Sequence, residues 1–139
     1  MKKSYILDCE HDYDFVVLAI NSHCKAYRLC WALNQQVGLN FEITNNHKIN
    51  DRLSFIRYKS EDPDDGAFDL LVNRSKKGYM IPSQKSVNYF LITNKETWSV
   101  KKYTFLSKLR EINDILLVFE FNLEEEKYSD RFIIYDKKN

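Results

Sequence analysis

One order of elements occurs twice in this chain. An apolar strand, a short polar stretch, an amphipathic helix, a brief break and a second strand fill residues 15–43, and the same order returns over residues 89–121. The displacement is roughly 74 to 76 residues, and element order rather than residue identity is what repeats. Two strand–helix–strand units in one antiparallel sheet give an α+β fold, a ferredoxin-like sandwich with both helices together on one face. Two further strands, residues 53–58 and 68–72, lie between the units. An added hairpin keeps the direction of the strands beyond it, so the sheet is enlarged without breaking the order.

Local patterns support each element. Residues 15–20 are a continuous apolar run, as expected of a buried strand. Ser22 is placed to cap the first helix, in which Ala26, Leu29, Cys30, Leu33 and Val37 share one face and Gly38 ends the last turn. In residues 39–44 the alternation puts Leu39, Phe41 and Ile43 inward. Thr97 or Ser99 caps the second helix, with Tyr103, Leu106, Leu109 and Ile112 at threefold spacing. Residues 4–8 read as a short strand, 61–66 as a turn, 74–78 as a basic loop and 132–135 as a last apolar segment.

The most informative stretch is residues 78–93. Ile81 is pushed to extended geometry by Pro82, which itself belongs at a strand start, an edge or a turn. Residues 87–93 then read as a strand apolar on both faces. Ile81-Pro82, four residues, then Val87-Asn88-Tyr89 resembles the signature of the IPExxxVDY family, uncharacterised bacterial proteins of about this size. Tyr27-Arg28-Leu29 and Leu33-Asn34 on the first helix are similar too. Ser83 stands where that family has Glu, and Asn88 where it has Asp. Neither replacement keeps a titrating carboxylate, so the motif of Ile81, Pro82, Val87, Asn88 and Tyr89 reads as structural rather than catalytic.

Composition narrows the function classes. A chain of 139 residues is expected to form a single domain, with the segment from about residue 124 peripheral to it. Its 44% hydrophobic and 14% aromatic content excludes a disordered chain. Lys and Arg number 21 against 20 acids, which argues against a dedicated nucleic-acid binder but not against a local basic patch. Three cysteines cannot form a full disulfide framework, so a reducing, cytoplasmic setting is expected. No apolar run is long enough to serve as a membrane span.

Candidate sites are few. Cys9, His11 and His23, with Asp12 or Asp14, lack metal-ligand spacing, and no metal or cofactor is expected. Cys24 and Cys30 are six apart on the helix, on different faces, with no base in place for a nucleophile. Calcium is excluded at residues 61–66, because Pro63 and Val72 fall where ligands belong. Arg74, Lys76 and Lys77 beside Tyr79 form a basic patch, and Tyr27, Arg28 and Asn34 a possible protein contact.

The expectation is a non-catalytic interaction or regulatory module that self-associates. The alternative is an RNA- or nucleotide-binding module built on the basic loop. Self-association is expected as a homodimer through the helix-free sheet face. The three strands apolar on both faces would otherwise expose one large patch; the internal alternative is residues 132–135 folding back across the sheet, which alone cover little area.

Overall fold

A computed structural model describes residues 13–63 and 66–135. In chain order the elements are β1 (Phe15–Ser22), α1 (Ala26–Val37), β2 (Glu42–Ile43), β3 (His47–Asn50), β4 (Leu53–Phe55) and β5 (Arg57–Asp62). There follow β6 (Gly66–Val72), β7 (Arg74–Ser75), β8 (Gly78–Tyr79), β9 (Tyr89–Asn94), α2 (Lys95–Arg110) and β10 (Ile115–Glu120). Six strands make one sheet in the order β10-β1-β9-β6-β5-β2, and its ladders are antiparallel. The α+β class with an enlarged antiparallel sheet is the fold of the chain. β1 lies between β9 and β10, and the β5–β6 hairpin is inserted between β9 and β2. The expected strand at residues 4–8 lies outside the described residues.

Alternation along the central strands separates two cores. Leu18 and Ile20 of β1, Phe68 and Leu70 of β6, and Tyr89 and Leu91 of β9 face the helices. Both helices pack on that face, through Leu29 and Leu33 of α1 and Trp98, Phe105 and Leu109 of α2. Phe105 stacks on Phe68 with ring centroids 5.2 Å apart. Burying each such side chain contributes about 1.5 to 3 kcal/mol.

Val17, Ala19, Leu71, Phe90 and Ile92 point to the other face. This face was expected to be covered by a second copy. Its own chain covers it instead, with Phe55, Met80, Ile81, Val87, Phe121 and Phe132. Phe132 is 1% exposed and meets Phe90 edge-on at 4.9 Å and Phe121 at 5.9 Å. Phe132, from the segment after residue 124, is therefore part of the core. A short 3-10 turn at Ser129–Phe132 aims Phe132 inward, and the Arg131 guanidinium donates to the Tyr79 and Met80 carbonyls at 3.0 and 2.9 Å. The area that residues 132–135 could not supply comes from loops far away in sequence.

Several boundaries differ from the sequence expectation for identifiable reasons. Ser22 ends β1 rather than capping α1, and its hydroxyl accepts from the Cys24 N–H at 3.3 Å. Asn94 caps α2, its side chain accepting from the Thr97 N–H at 2.7 Å. Leu39 and Phe41 are buried, but Ile43 is 66% exposed and β2 has two residues. The Phe41 backbone is held by Asn34 of α1, so pairing with β5 begins only at Glu42. Residues 53–58 divide at Ile56 into β4, which pairs with β3, and β5, which joins the main sheet. Val87 precedes β9 and packs on the helix-free side with Phe90, not beside Tyr89 as strict alternation required. Among the described residues no helix is long and apolar enough to cross a membrane.

Candidate functional site

Two small hairpins at one end of the sheet build the site. In the first, the Asn50 side-chain oxygen accepts from the Arg52 and Leu53 N–H groups at 2.9 and 3.0 Å. This Asx turn links β3 to β4 and places Arg52 at the tip. In the second, Arg74 pairs with Tyr79 and Ser75 with Gly78, leaving Lys76 and Lys77 at the turn. The Ser75 hydroxyl donates to the Gly78 carbonyl at 3.2 Å and accepts from the Lys77 N–H at 3.3 Å, which fixes the loop. The hairpins touch: a Cβ at Gly78 would lie 3.6 Å from Leu53 Cδ1.

Between them is an open cleft of about 780 Å³, lined by Asn46, Arg52, Ser54, Ile56, Val72, Arg74, Ser75, Lys76 and Lys77. Four of these side chains are cationic, and none of the lining residues is acidic. Arg52, Arg74, Lys76 and Lys77 are exposed, and no ion pair occupies them among the described residues. Arg57, by contrast, lies 2.8 Å from Asp69 and is buried. Four unpaired cations on one concave surface create a positive potential that favours an anion. Ile56, 44% exposed, gives the cleft an apolar wall.

The structure thus brings Arg74, Lys76 and Lys77 together and adds Arg52, which the sequence reading missed. The signal was there: Asn50-Asp51-Arg52 interrupts two short apolar alternations, as a hairpin tip does. Tyr79 is half-buried and has Lys85 over its ring at 5.6 Å. Tyr27, Arg28 and Asn34 belong to α1 and do not line this cleft. Tyr27 is 66% exposed, and Arg28 pairs with Asp114 at 3.3 Å while lying over the Trp31 ring. Both amide atoms of Asn34 bond to the Phe41 backbone, so its role is structural.

The signature residues hold a loop in place. Ile81 is fully buried, whereas Pro82 is exposed and opens a 3-10 turn over Pro82–Gln84. Ser83 donates to Glu126 at 3.0 Å. The Asn88 side-chain oxygen accepts from the Ser22 N–H at 2.7 Å, as a carboxylate would at the same place. Tyr89 donates its hydroxyl to the Cys24 carbonyl, and burial pushes its pKa up to about 12. Asn73, fully buried, is the organiser that the sequence reading overlooked. Its side chain accepts from the Ile81 N–H at 3.1 Å and donates to the Gln84 and Val87 carbonyls at 2.9 and 2.8 Å.

Burial and the neighbouring Cys24 raise the Cys30 thiol to about 12, which keeps it protonated and unreactive at neutral pH. Cys9, His11 and Asp12 lie outside the described residues. Among the described residues no three His, Cys, Asp or Glu side chains converge as metal ligands. Compared with known proteins, the chain matches no protein-family model and no curated protein.

Proposed function

We propose that this protein is a non-catalytic binding module whose working surface is the cleft between the β3–β4 and β7–β8 hairpins. The ligand is phosphate-bearing, a nucleotide or a single strand of RNA. The observation that supports this most is the convergence of Arg52, Arg74, Lys76 and Lys77 on one cleft with no acid in its lining. Arginine forks and lysine ammonium groups are the common partners of phosphate oxygens. The cleft volume falls within the range of small-molecule sites. A chain with a net charge of only +1 gains a positive surface here by placement, not by composition.

Binding rather than catalysis fits the protonated Cys30 thiol and the structural use of the signature residues. The resemblance to the IPExxxVDY family belongs to the same reading, with its signature acting to fix the loop that carries Ile81. A reducing, cytoplasmic setting is also part of it, since Cys24 and Cys30 are both free thiols.

Fluorescence anisotropy across a salt series tests the proposal, using a labelled single-stranded RNA and a labelled nucleoside triphosphate. Affinity that rises with RNA length identifies a strand. Saturation by the triphosphate alone identifies a nucleotide. Absence of binding to both probes at low salt, or binding that survives Arg52→Ala, Arg74→Ala and Lys76→Ala together, would refute it.

A further inference from the structure

The two edges of the six-stranded sheet are treated differently. The β2 edge is blunted, being only two residues long. The β10 edge is six residues long, Ile115–Glu120, and among the described residues only β1 pairs with it. It has no Lys or Pro, the usual guards of an open edge. Leu116, Leu117 and Phe119 are 59%, 54% and 37% exposed. Glu120 is its one charged residue, and Lys102 stands 3.7 Å away to neutralise it.

The backbone pattern shows what this edge can accept. The Phe121 N–H donates to the Val17 carbonyl at 2.8 Å. Pairing continues through Ala19 with Phe119 and Asn21 with Leu117, so these residues direct their N–H and C=O groups at β1. Val118 and Glu120, between them, direct theirs outward. The ladder becomes irregular just before Leu117, so the regular outward stretch is the one centred on Phe119.

We propose that β10 is a self-association surface on which two copies of this chain pair antiparallel about a two-fold axis at Phe119. In that register Val118 of each copy pairs with Glu120 of the other, and every outward group of both residues finds a partner. Phe119 faces its own counterpart in a non-hydrogen-bonded pair, where side chains approach most closely. The edge is self-complementary, as a two-fold interface must be. A net charge of +1 gives two copies little mutual repulsion. Six residues bury less than the roughly 1,600 Å² of a standard interface, so the expected dimer is a weak, concentration-dependent one.

Sedimentation velocity of the full chain from low to high micromolar concentration tests this. The expected result is a concentration-dependent dimer that Phe119→Lys and, separately, Leu117→Lys abolish without lowering the melting temperature of the monomer. Under oxidising conditions Phe119→Cys should cross-link two copies, because in a non-hydrogen-bonded pair the Cα atoms are about 4.5 Å apart, within the span a disulfide bridges. Leu117→Cys and the parent chain should not. A monomer at all concentrations overturns the proposal, and so does a dimer that both lysine variants leave intact. A dimer lost to the lysines in which Phe119→Cys fails to cross-link overturns the Phe119 register.

Discussion

The Phe132 ring meets the Phe90 ring edge-on, with centroids 4.9 Å apart, and this contact seals the sheet face that carries no helix. Phe90 comes from the central strand β9 and Phe132 from the last turn of the described chain. Phe132→Ala removes a ring that is 1% exposed and leaves a cavity against Phe90 and Phe121. The expected cost is about 3 to 5 kcal/mol in urea unfolding. A loss below about 1 kcal/mol would show that the segment is dispensable to the core.

Asn73 is expected to matter as much, though it is polar. Asn73→Ala leaves the Ile81 N–H and the Val87 carbonyl without their partner in a buried place, while the Gln84 carbonyl keeps only its bond from the Val87 N–H. A loss of at least about 2 kcal/mol is expected. Hydrogen exchange should show the Ile81 amide losing protection before the β1 amides do.

The signature position Asn88 separates structure from chemistry. Asn88→Asp keeps the oxygen that accepts from the Ser22 N–H, so stability should change by less than about 0.5 kcal/mol. Asn88→Ala removes it and should cost about 1 kcal/mol. If Asn88→Asp instead abolished binding in the anisotropy assay, the position would belong to a working surface.

The basic hairpin should behave in the opposite way. Lys76→Ala with Lys77→Ala changes two exposed side chains at a turn, so thermal stability should stay within about 0.5 kcal/mol. RNA binding should weaken, and the slope of log K against log salt should fall by about 0.7 for each lysine that contacts phosphate. An unchanged slope would move the binding surface elsewhere.

Alkaline pH should destabilise the fold through Tyr89 and Cys30. Both are neutral when protonated, and burial raises their folded pKa values from 10.0 and 9.0 to about 12. The unfolded chain therefore gives up these protons first, and stability falls as pH rises. The contribution is fully present below about pH 9 and is lost as pH approaches 12. Urea midpoints measured across that window should decline, and Tyr89→Phe should flatten the decline.

Much of the architecture was legible from local pattern. The apolar runs at β1, β9 and β10, the helical spacing in α1 and the left-handed Gly38 at φ 84 follow from residues close in sequence. Period and caps are properties of a few neighbouring residues, so a linear reading recovers them. The repeated element order placed β1 beside β9 for the same reason. The basic patch was legible only in part. Arg74, Lys76 and Lys77 are contiguous, whereas Arg52 reaches them only because the two hairpins pack together.

What covers each strand is a different kind of fact. A strand apolar on both faces must be covered, but its sequence is silent on whether a helix, a loop or a second copy does it. Phe132 reaches Phe90 across 42 residues of chain, and Asn73 reaches Ile81, Gln84 and Val87 across a loop. These partners are selected by packing and by the cost of leaving buried polar groups unpaired. The sequence by itself determined the α+β class, the long apolar strands β1, β6, β9 and β10 and the two helices. The tertiary structure decided that the helix-free face is roofed from within, that four cations share one cleft, and that β10 is the long edge of the sheet among the described residues. Coverage and convergence depend on contacts between distant segments, which no periodicity records.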